Sequence, residues 1–282
     1  MSVSGLSFSV FWGTIFACLA AGLPGQAASV LLNTDQGEVG TVDPFSGEFV
    51  PMFAGSSFND IALSQQRIVV GVTADNQLYR VQNGAAEFVG SLGLSASVIV
   101  TGLSFDPQNR LYALGFEAQT QEGRVYQVDA STGLATLFVS SLPAGRYQDL
   151  VFDADRNQFF AVRQAPGSAD GVLWALALNG TAADIGSIGF AAVTGLAISN
   201  GALYGYTQQG QQLQINPFTG AGVFDLAVNS PVGSDRQFLG AASAPIPFTT
   251  VPQPSPVPEP SFLLTVMAAG GLGILMRRRQ HS

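Results

Sequence analysis

Between residues 29 and 244 the chain is a succession of short apolar segments in which hydrophobic and polar residues alternate. A period of two is typical of β-strands, and no long segment with the helical period of 3.6 interrupts it. Asp-Pro, Asn-Pro and Thr-Gly pairs separate the segments and mark tight turns, because proline fixes φ and glycine tolerates positive φ. The pattern predicts an all-β domain over residues 29–244.

Four strand-length phrases recur along this domain in a fixed order. The turn after the third phrase falls at residues 43, 82, 129, 177 and 216, which gives spacings of 39, 47, 48 and 39 residues. Four strands in about 40 to 50 residues are the period of one β-propeller blade. The first phrase reads Asn59-Asp60-Ile61, Thr101-Gly102-Leu103, Gln148-Asp149-Leu150 and Thr194-Gly195-Leu196 in its successive copies.

The two ends of the domain together supply one more blade. Four complete blades run from about residue 54 to residue 228, and Gln237 to Ser243 then reads as a first strand. Ser29 to Thr34, Glu38 to Asp43 and Glu48 to Phe53 read as the second, third and fourth strands. A blade shared by both ends closes the ring and removes exposed strand edges. We therefore predict a five-bladed propeller, with a pair of β-sandwiches or an incomplete six-bladed ring as alternatives. The phrases resemble those of the Tyr-Val-Asp and NHL-type propeller groups.

The first 28 residues have the pattern of a secretory signal peptide. An apolar run from Leu6 to Leu23 is followed by small residues that end in Ala27 and Ala28, where signal peptidase would cleave. An uncleaved membrane anchor and a lipoprotein that begins at Cys18 are the alternatives. We predict export and a mature body that starts at residue 29.

The C-terminus has three parts in a fixed order. Residues 245–260 hold seven prolines, which favour an extended spacer, and residues 261–276 carry no charge. A helix of that length spans about 24 Å, somewhat less than the ~30 Å hydrocarbon core, and the following arginines extend the span by snorkelling. The basic tail 277–282 contains Arg277, Arg278 and Arg279, which the positive-inside rule places in the cytoplasm. The order predicts a transmembrane helix with the body outside.

The same order, Val257-Pro258-Glu259-Pro260 followed by an apolar helix and an arginine cluster, resembles the PEP-CTERM sorting signal of bacteria. The resemblance covers about the last 26 residues. It implies that exosortase, a membrane transpeptidase-like enzyme, recognises the tail, cleaves near the motif and transfers the body to the cell envelope or the exterior. Such proteins typically occur in producers of extracellular polysaccharide. An ordinary C-terminal anchor on a proline stalk is the alternative.

Charge and composition exclude several kinds of chemistry. The body without the tail has eight arginines against eighteen acids and no lysine, so that a nucleic-acid partner is not expected. The only cysteine is Cys18 and the only histidine is His281, so the predicted mature body has neither. A disulfide framework, a Ser-His-Asp or Cys-His centre and a typical zinc site are therefore excluded. We expect no cofactor.

Carboxylates are the remaining candidates for catalysis. A glycoside hydrolase would need an Asp/Glu pair at the central channel. Asp106 and Asp153 follow a strand at equivalent positions of the repeat, where a turn cap belongs. The best-placed acids are Asp60, Asp106, Asp149, Asp153 and Asp155.

Asp153, Asp155 and Asn157 have the 1, 3, 5 spacing of a calcium loop and form a weak metal candidate. Gln158 replaces the glycine of that loop and Gln164 replaces its bidentate glutamate. These departures favour a hydrated turn between two strands over a metal site.

The sequence predicts an exported, envelope-sorted propeller that is not an enzyme and binds a surface or matrix component, with extracellular polysaccharide as the ligand that the sorting signal suggests. Two alternatives stay open. One is a carbohydrate-active enzyme that uses channel carboxylates, and the other is a purely structural surface protein.

Overall fold

A computed structural model describes residues 30–82, 84–229 and 236–245. In these ranges the chain forms twenty strands and no helix, and the strands pair into five four-stranded sheets. The prediction of an all-β, five-bladed propeller is confirmed, and the sandwich and six-bladed alternatives are wrong. The signal helix within residues 1–28 and the helix over 261–276 lie outside the described residues. None of the three described ranges contains a helix that could cross a membrane.

Every sheet is antiparallel, and four of the five are built from four consecutive strands of the chain. The first blade consists of β4 (Asp60–Leu63), β5 (Val69–Val72), β6 (Gln77–Gln82) and β7 (Ala85–Ser91). The second consists of β8 (Val98–Phe105), β9 (Leu111–Glu117), β10 (Gly123–Val128) and β11 (Ala135–Leu142), and the third of β12 (Arg146–Asp153), β13 (Gln158–Gln164), β14 (Asp170–Ala177) and β15 (Ala182–Ala191). The fourth consists of β16 (Val193–Ser199), β17 (Ala202–Thr207), β18 (Gln211–Ile215) and β19 (Gly222–Ala227).

The fifth blade joins the two ends of the described chain. It contains β20 (Phe238–Ala242), β1 (Val30–Thr34), β2 (Glu38–Val42) and β3 (Phe49–Ala54), in that order across the sheet. In the β20–β1 pair Leu31 lies opposite Ala242. This antiparallel pairing closes the ring and leaves β20 as the inner strand of the blade, as the sequence predicts.

In three of the blades one side chain fixes the turn after the third strand. The Oδ1 atom of Asp43 accepts the N–H of the residue two positions on at 2.8 Å, and Asp129 and Asn216 do the same at 2.8 and 2.9 Å. Such an Asx turn orders the backbone locally. A glycine with positive φ ends each of these turns, which only glycine adopts without strain. The three glycines are Gly47, Gly133 and Gly220, with φ of +71°, +84° and +77°.

The hydrophobic core lies between blades. Tyr112 of the second blade packs edge-on against Phe159 of the third, with ring centroids 4.9 Å apart, and Phe152 packs on the other side of Phe159 at 4.8 Å. Such edge-to-face pairs add to the stabilisation from burial. The recurring strand aromatics therefore serve blade-to-blade packing, and the blades hold the inner strands in a ring around a central channel.

Candidate functional site

The residues that open the first phrase of each blade meet around one pocket. This pocket lies at the end of the channel where the inner strands begin, and its volume is about 470 Å³. Each blade contributes one such residue, so the repeat itself builds the ring of side chains. The five are Asn59, Thr101, Gln148, Thr194 and Leu239.

Three of these side chains are fixed by hydrogen bonds to the backbone of the next blade. Each donates to a carbonyl oxygen across the blade boundary, so the ring both joins neighbouring blades and orients its polar atoms. The bonds run from Asn59 Nδ2 to Val100 O (3.0 Å), from Thr101 Oγ1 to Tyr147 O (2.6 Å) and from Thr194 Oγ1 to Phe238 O (2.7 Å). A polar surface held in this way is preorganised for a ligand.

The wall of the pocket combines amides, apolar groups and one cation. Gln164 and Gln208 extend the ring of amides, and Phe116 supplies an aromatic side chain. Arg146, at the start of β12, is the one charged residue of the lining and is exposed. Among the described residues it forms no ion pair, although the chain carries a net charge of -8. The pocket can therefore offer neutral hydrogen-bonding groups and a single unpaired guanidinium.

A pair of aspartates lies directly below this ring. Asp60 and Asp149 each follow a pocket residue by one position, and their carboxyl groups meet at the channel axis. Both side chains are completely buried, with 0% exposure. Oδ2 of Asp60 accepts the N–H of Leu103 at 2.5 Å, and Oδ2 of Asp149 accepts that of Leu196. Each carboxyl group thus connects its own blade to the next.

Burial is the main cause that raises the pKa of Asp60 well above its usual range, and the neighbouring charge of Asp149 adds to it. Burial likewise raises the pKa of Asp149, against the opposing effect of its backbone N–H donors. Charged carboxyl groups are costly in a dry interior, and two of them at contact distance are costlier still. The pair can hold a proton at pH values where an exposed aspartate is ionised.

The other three blades carry glycine at the position of the aspartates. A Cβ on Gly240 would overlap Oδ1 of Asp60, and a Cβ on Gly102 would stand 3.0 Å from the backbone N of Leu150. The channel therefore has room for two carboxyl groups because Gly102, Gly195 and Gly240 add no side chain. This is the close approach of backbone that glycine permits.

The remaining candidate acids lie in turns away from the axis. Asp106 accepts a hydrogen bond from Arg110 Nε at 2.6 Å and Asp153 accepts one from Arg156 Nη1 at 2.7 Å. Asp106 follows β8 and Asp153 is the last residue of β12, and each caps the turn after its inner strand, as the repeat predicts. Of the five acids that the sequence singles out, the structure brings only Asp60 and Asp149 together.

The calcium-loop candidate lies in the turn between β12 and β13. Oδ1 of Asp153 accepts the N–H of Asp155 at 3.0 Å, and Asn157 has a φ of +53°. The carboxylate of Asp153 is thus engaged with Arg156 and with the backbone of its own turn. In the described part of the chain no group of three or more His, Cys, Asp or Glu residues is placed to hold a metal ion.

The processing residues predicted at the two termini lie outside the described residues. This applies to the signal-peptidase site at Ala27 and Ala28, to the motif Val257-Pro258-Glu259-Pro260 and to the stop-transfer residues Arg277, Arg278 and Arg279. These assignments stay predictions from the sequence.

Sequence reasoning named Asp60 and Asp149 as acids but did not predict that they touch. Nor did it identify the pocket residues, including Arg146. The sequence does indicate these positions when the four copies of the first phrase are placed one below another. The first residue is polar in all four copies, and the second alternates between aspartate and glycine. Whether the two carboxyl groups touch depends on which inner strands face each other across the axis and on how far apart these strands lie. The repeat alone gives neither.

No family model matches this chain, and no curated protein is similar to it in sequence. Solved propellers are similar in structure. One is a catalytically inactive virginiamycin B lyase from Staphylococcus aureus with quinupristin, at 11% identity and a TM-score of 0.45, covering 76% of this chain and 79% of the lyase. Another is the calcium-binding protein regucalcin from Agrobacterium tumefaciens, at 15% identity and a TM-score of 0.45, covering 70% of this chain and 69% of regucalcin. A third, from Bacteroides fragilis, is provisionally assigned as a 6-phosphogluconolactonase. It shares 10% identity with this chain at a TM-score of 0.45, and the match covers 77% of this chain and 98% of that protein.

These structures correct one prediction. The sequence-based prediction that the chain is not an enzyme is wrong, because propellers of similar fold include a lyase and a provisionally assigned lactonase. The similarity concerns the fold, and at 10 to 15% identity it assigns no reaction to this chain.

Proposed function

We propose that the chain is an exported propeller that is sorted to the cell envelope and binds a carbohydrate of the extracellular polysaccharide at the mouth of its central channel. The observation that carries the binding part is the composition of the pocket, a preorganised ring of amide and hydroxyl groups with one unpaired guanidinium. The sorting part is supported by the resemblance of residues 257–279 to the PEP-CTERM signal.

A sugar is the ligand class that this lining favours. Sugar hydroxyls both donate and accept hydrogen bonds, and the amide of Gln148 can do the same. The amide nitrogens of Gln164 and Gln208 already donate within the protein, so these two side chains offer their amide oxygens as acceptors. Phe116 is a core side chain that is only 6% exposed and adds a small apolar part to the lining. A volume of about 470 Å³ lies within the range of small-molecule pockets and is large enough for one or two sugar units.

The charge of the pocket narrows the class to acidic sugars. Arg146 presents a planar fork of N–H donors that matches the geometry of a carboxylate or sulfate. Among the described residues that line the pocket, none is a carboxylate that would compete for it. A uronic acid is therefore preferred to the neutral sugar of the same shape.

Binding is tested on the full chain with an oligoglucuronate and a neutral glucan of equal length, by calorimetry at low salt. Substitution Arg146→Gln removes a charged hydrogen bond worth about 1.5–3 kcal/mol, which corresponds to roughly ten- to a hundredfold weaker binding of the uronate. Binding of the glucan is expected to change little. Substitution Arg67→Gln is the matched control, because Arg67 lies in the β4–β5 turn beyond the far end of β4 and does not line the pocket.

Failure of wild-type chain to bind either oligosaccharide contradicts the proposed ligand class. Equal loss in the Arg146 and Arg67 variants contradicts the proposed place of binding. Sorting is tested separately by replacing Pro258, Glu259 and Pro260 with alanine, which we expect to leave the unprocessed chain in the inner membrane.

A carbohydrate-active enzyme is a second candidate, favoured by the convergence of Asp60 and Asp149 below the pocket. A glycosidase needs one protonated and one ionised carboxyl group that flank the scissile bond about 5 Å or more apart, so the touching pair would have to separate before it could act in this way. The full burial of both side chains means that a substrate would have to reach past Asn59 and Gln148. Release of new reducing ends from the bound oligosaccharide, abolished by Asp149→Asn, is the result that would support it.

A further inference from the structure

We infer that Asp60 and Asp149 form one proton-binding site at the channel axis, and that Asp60 carries the bound proton in the folded ring. This inference is independent of the proposed ligand at the channel mouth. It concerns the centre of the ring, where the two carboxyl groups join blades that are far apart in the sequence.

The hydrogen bonds around the pair identify which carboxyl group is the anion. Asp149 accepts the backbone N–H groups of Leu150 and Leu196, whereas Asp60 accepts that of Leu103. Backbone N–H groups also lower the pKa of each carboxyl group, that of Ala241 for Asp149 and that of Ile61 for Asp60. Donors that point at a carboxylate stabilise its charged form, so the group with more donors ionises first. The single charge therefore resides on Asp149, and Asp60 is left as the neutral acid.

A second observation shows where the proton belongs. Oδ1 of Asp60 is completely buried and has no hydrogen-bond partner, and the same holds for Oδ1 of Asn33, which is 1% exposed. Both oxygens crowd the same point beside Gly240, where a Cβ would stand 2.8 Å from the asparagine oxygen. Asn33 cannot turn its amide without losing the bond from Nδ2 to Phe58 O at 2.8 Å. A proton on Oδ1 of Asp60 supplies the donor that these acceptors lack.

Other charged groups do not compensate the pair. The five inner strands are β4, β8, β12, β16 and β20, and β1 lies next to β20. In these six strands, apart from the pair, only β12 carries titratable side chains. Arg146 lines the pocket, Tyr147 donates its hydroxyl proton to Pro143 O at 2.9 Å, and Asp153 is paired with Arg156. Because no cation of the described strands faces the two carboxyl groups, a proton is the ligand that removes one of the two charges.

The consequence is a ring whose stability depends on pH. The folded pKa lies above that of an unfolded aspartate, so the folded chain keeps a proton that the unfolded chain has released. Unfolding then releases this proton, and stability falls as pH rises from about 5 up through the folded pKa of the pair. In that window the unfolding equilibrium constant should increase tenfold per pH unit from this site alone.

The test compares urea unfolding of the full chain and of an Asp60→Asn variant between pH 5 and 8. An amide at residue 60 supplies a donor without a titratable proton, so the tenfold increase per pH unit should be absent from the variant. Asp106→Asn is the matched control, because Asp106 is equally buried but is paired with Arg110. The pH dependence of the control in this window should match that of the wild type. Equal pH dependence in wild type and Asp60→Asn would overturn the inference.

A second measurement keeps the test decisive if Asp60→Asn does not fold. In wild-type chain labelled with ¹³C at the aspartate carboxyl carbons, one resonance should titrate at a clearly higher pH than an exposed aspartate. Absence of such a resonance overturns the inference. So does metal analysis that finds one equivalent of a cation retained after dialysis against EDTA together with two ionised carboxylates.

Discussion

Alanine substitution of the three glycines that surround the aspartate pair tests how tightly the centre of the ring is packed. The three occupy the same position in three blades, so they differ mainly in what a methyl group would meet. At Gly102 the nearest atom would be the backbone N of Leu150 at 3.0 Å, and at Gly195 it would be Cβ of Ala241 at 2.8 Å. At Gly240 the methyl group would overlap Oδ1 of Asp60 and stand 2.8 Å from Oδ1 of Asn33.

The expected losses follow this order. Overpacking of a close-packed interior costs about 1–3 kcal/mol, and alanine recovers about 0.4–1 kcal/mol by restricting the unfolded chain. Gly102→Ala should therefore cost less than about 1 kcal/mol and Gly195→Ala about 1–2 kcal/mol. Gly240→Ala should cost about 3 kcal/mol, because Asp60 is held by the N–H of Leu103 and cannot move aside. At about 2–4 °C per kcal/mol, Tm of the last variant should fall by about 6–12 °C.

Thermal unfolding monitored by the fluorescence of buried Trp174 measures the series. A double variant provides the control, because Asp60→Ala removes the atom that the new methyl group would meet. The cost of Gly240→Ala should then shrink markedly in the Asp60→Ala background. Equal costs for the three single variants, or a loss at Gly240 that persists without Asp60, would refute the packing described here.

Three further perturbations test other parts of the ring. Phe159→Ala should cost about 3–5 kcal/mol in urea unfolding, because the ring is fully buried between Tyr112 and Phe152, and a loss below 1 kcal/mol would contradict its place in the core. Tyr147→Phe should cost about 1 kcal/mol at pH 7 through the lost hydrogen bond to Pro143 O. Because burial raises the pKa of Tyr147, the folded wild type keeps a phenol proton that the unfolded chain loses above pH ~10. The wild type should therefore lose more stability than the variant above that pH. A chain that ends at residue 235 lacks β20 and should lose cooperative unfolding, whereas unchanged cooperativity would contradict closure by the β20–β1 pair.

The fold could be predicted closely because its signals are local and repeated. Alternating apolar residues set the strands, Asp43, Asp129 and Asn216 set the turns, and the spacing of these turns gave four strands per blade. The closure by β20 also followed from the sequence, because the segment after residue 236 supplies the first phrase that the N-terminal strands lack.

The site could not be predicted in the same way. Which residues meet at the axis depends on the number of blades and on the distance between inner strands, and both are properties of the closed ring. Asp60 and Asp149 lie 89 positions apart in the sequence (149 − 60), with one complete blade between theirs. The absence of histidine and cysteine from residues 29–244 excluded several kinds of catalytic centre, but it could not reveal a carboxyl pair below the pocket.

The most direct test of the central claim is a crystal structure of the chain with a bound oligoglucuronate. We expect one sugar to occupy the channel mouth, with its carboxylate on the guanidinium of Arg146 and its hydroxyls on the surrounding amides. Density for the sugar on the outer strands, or an empty mouth at saturating ligand, would contradict the account.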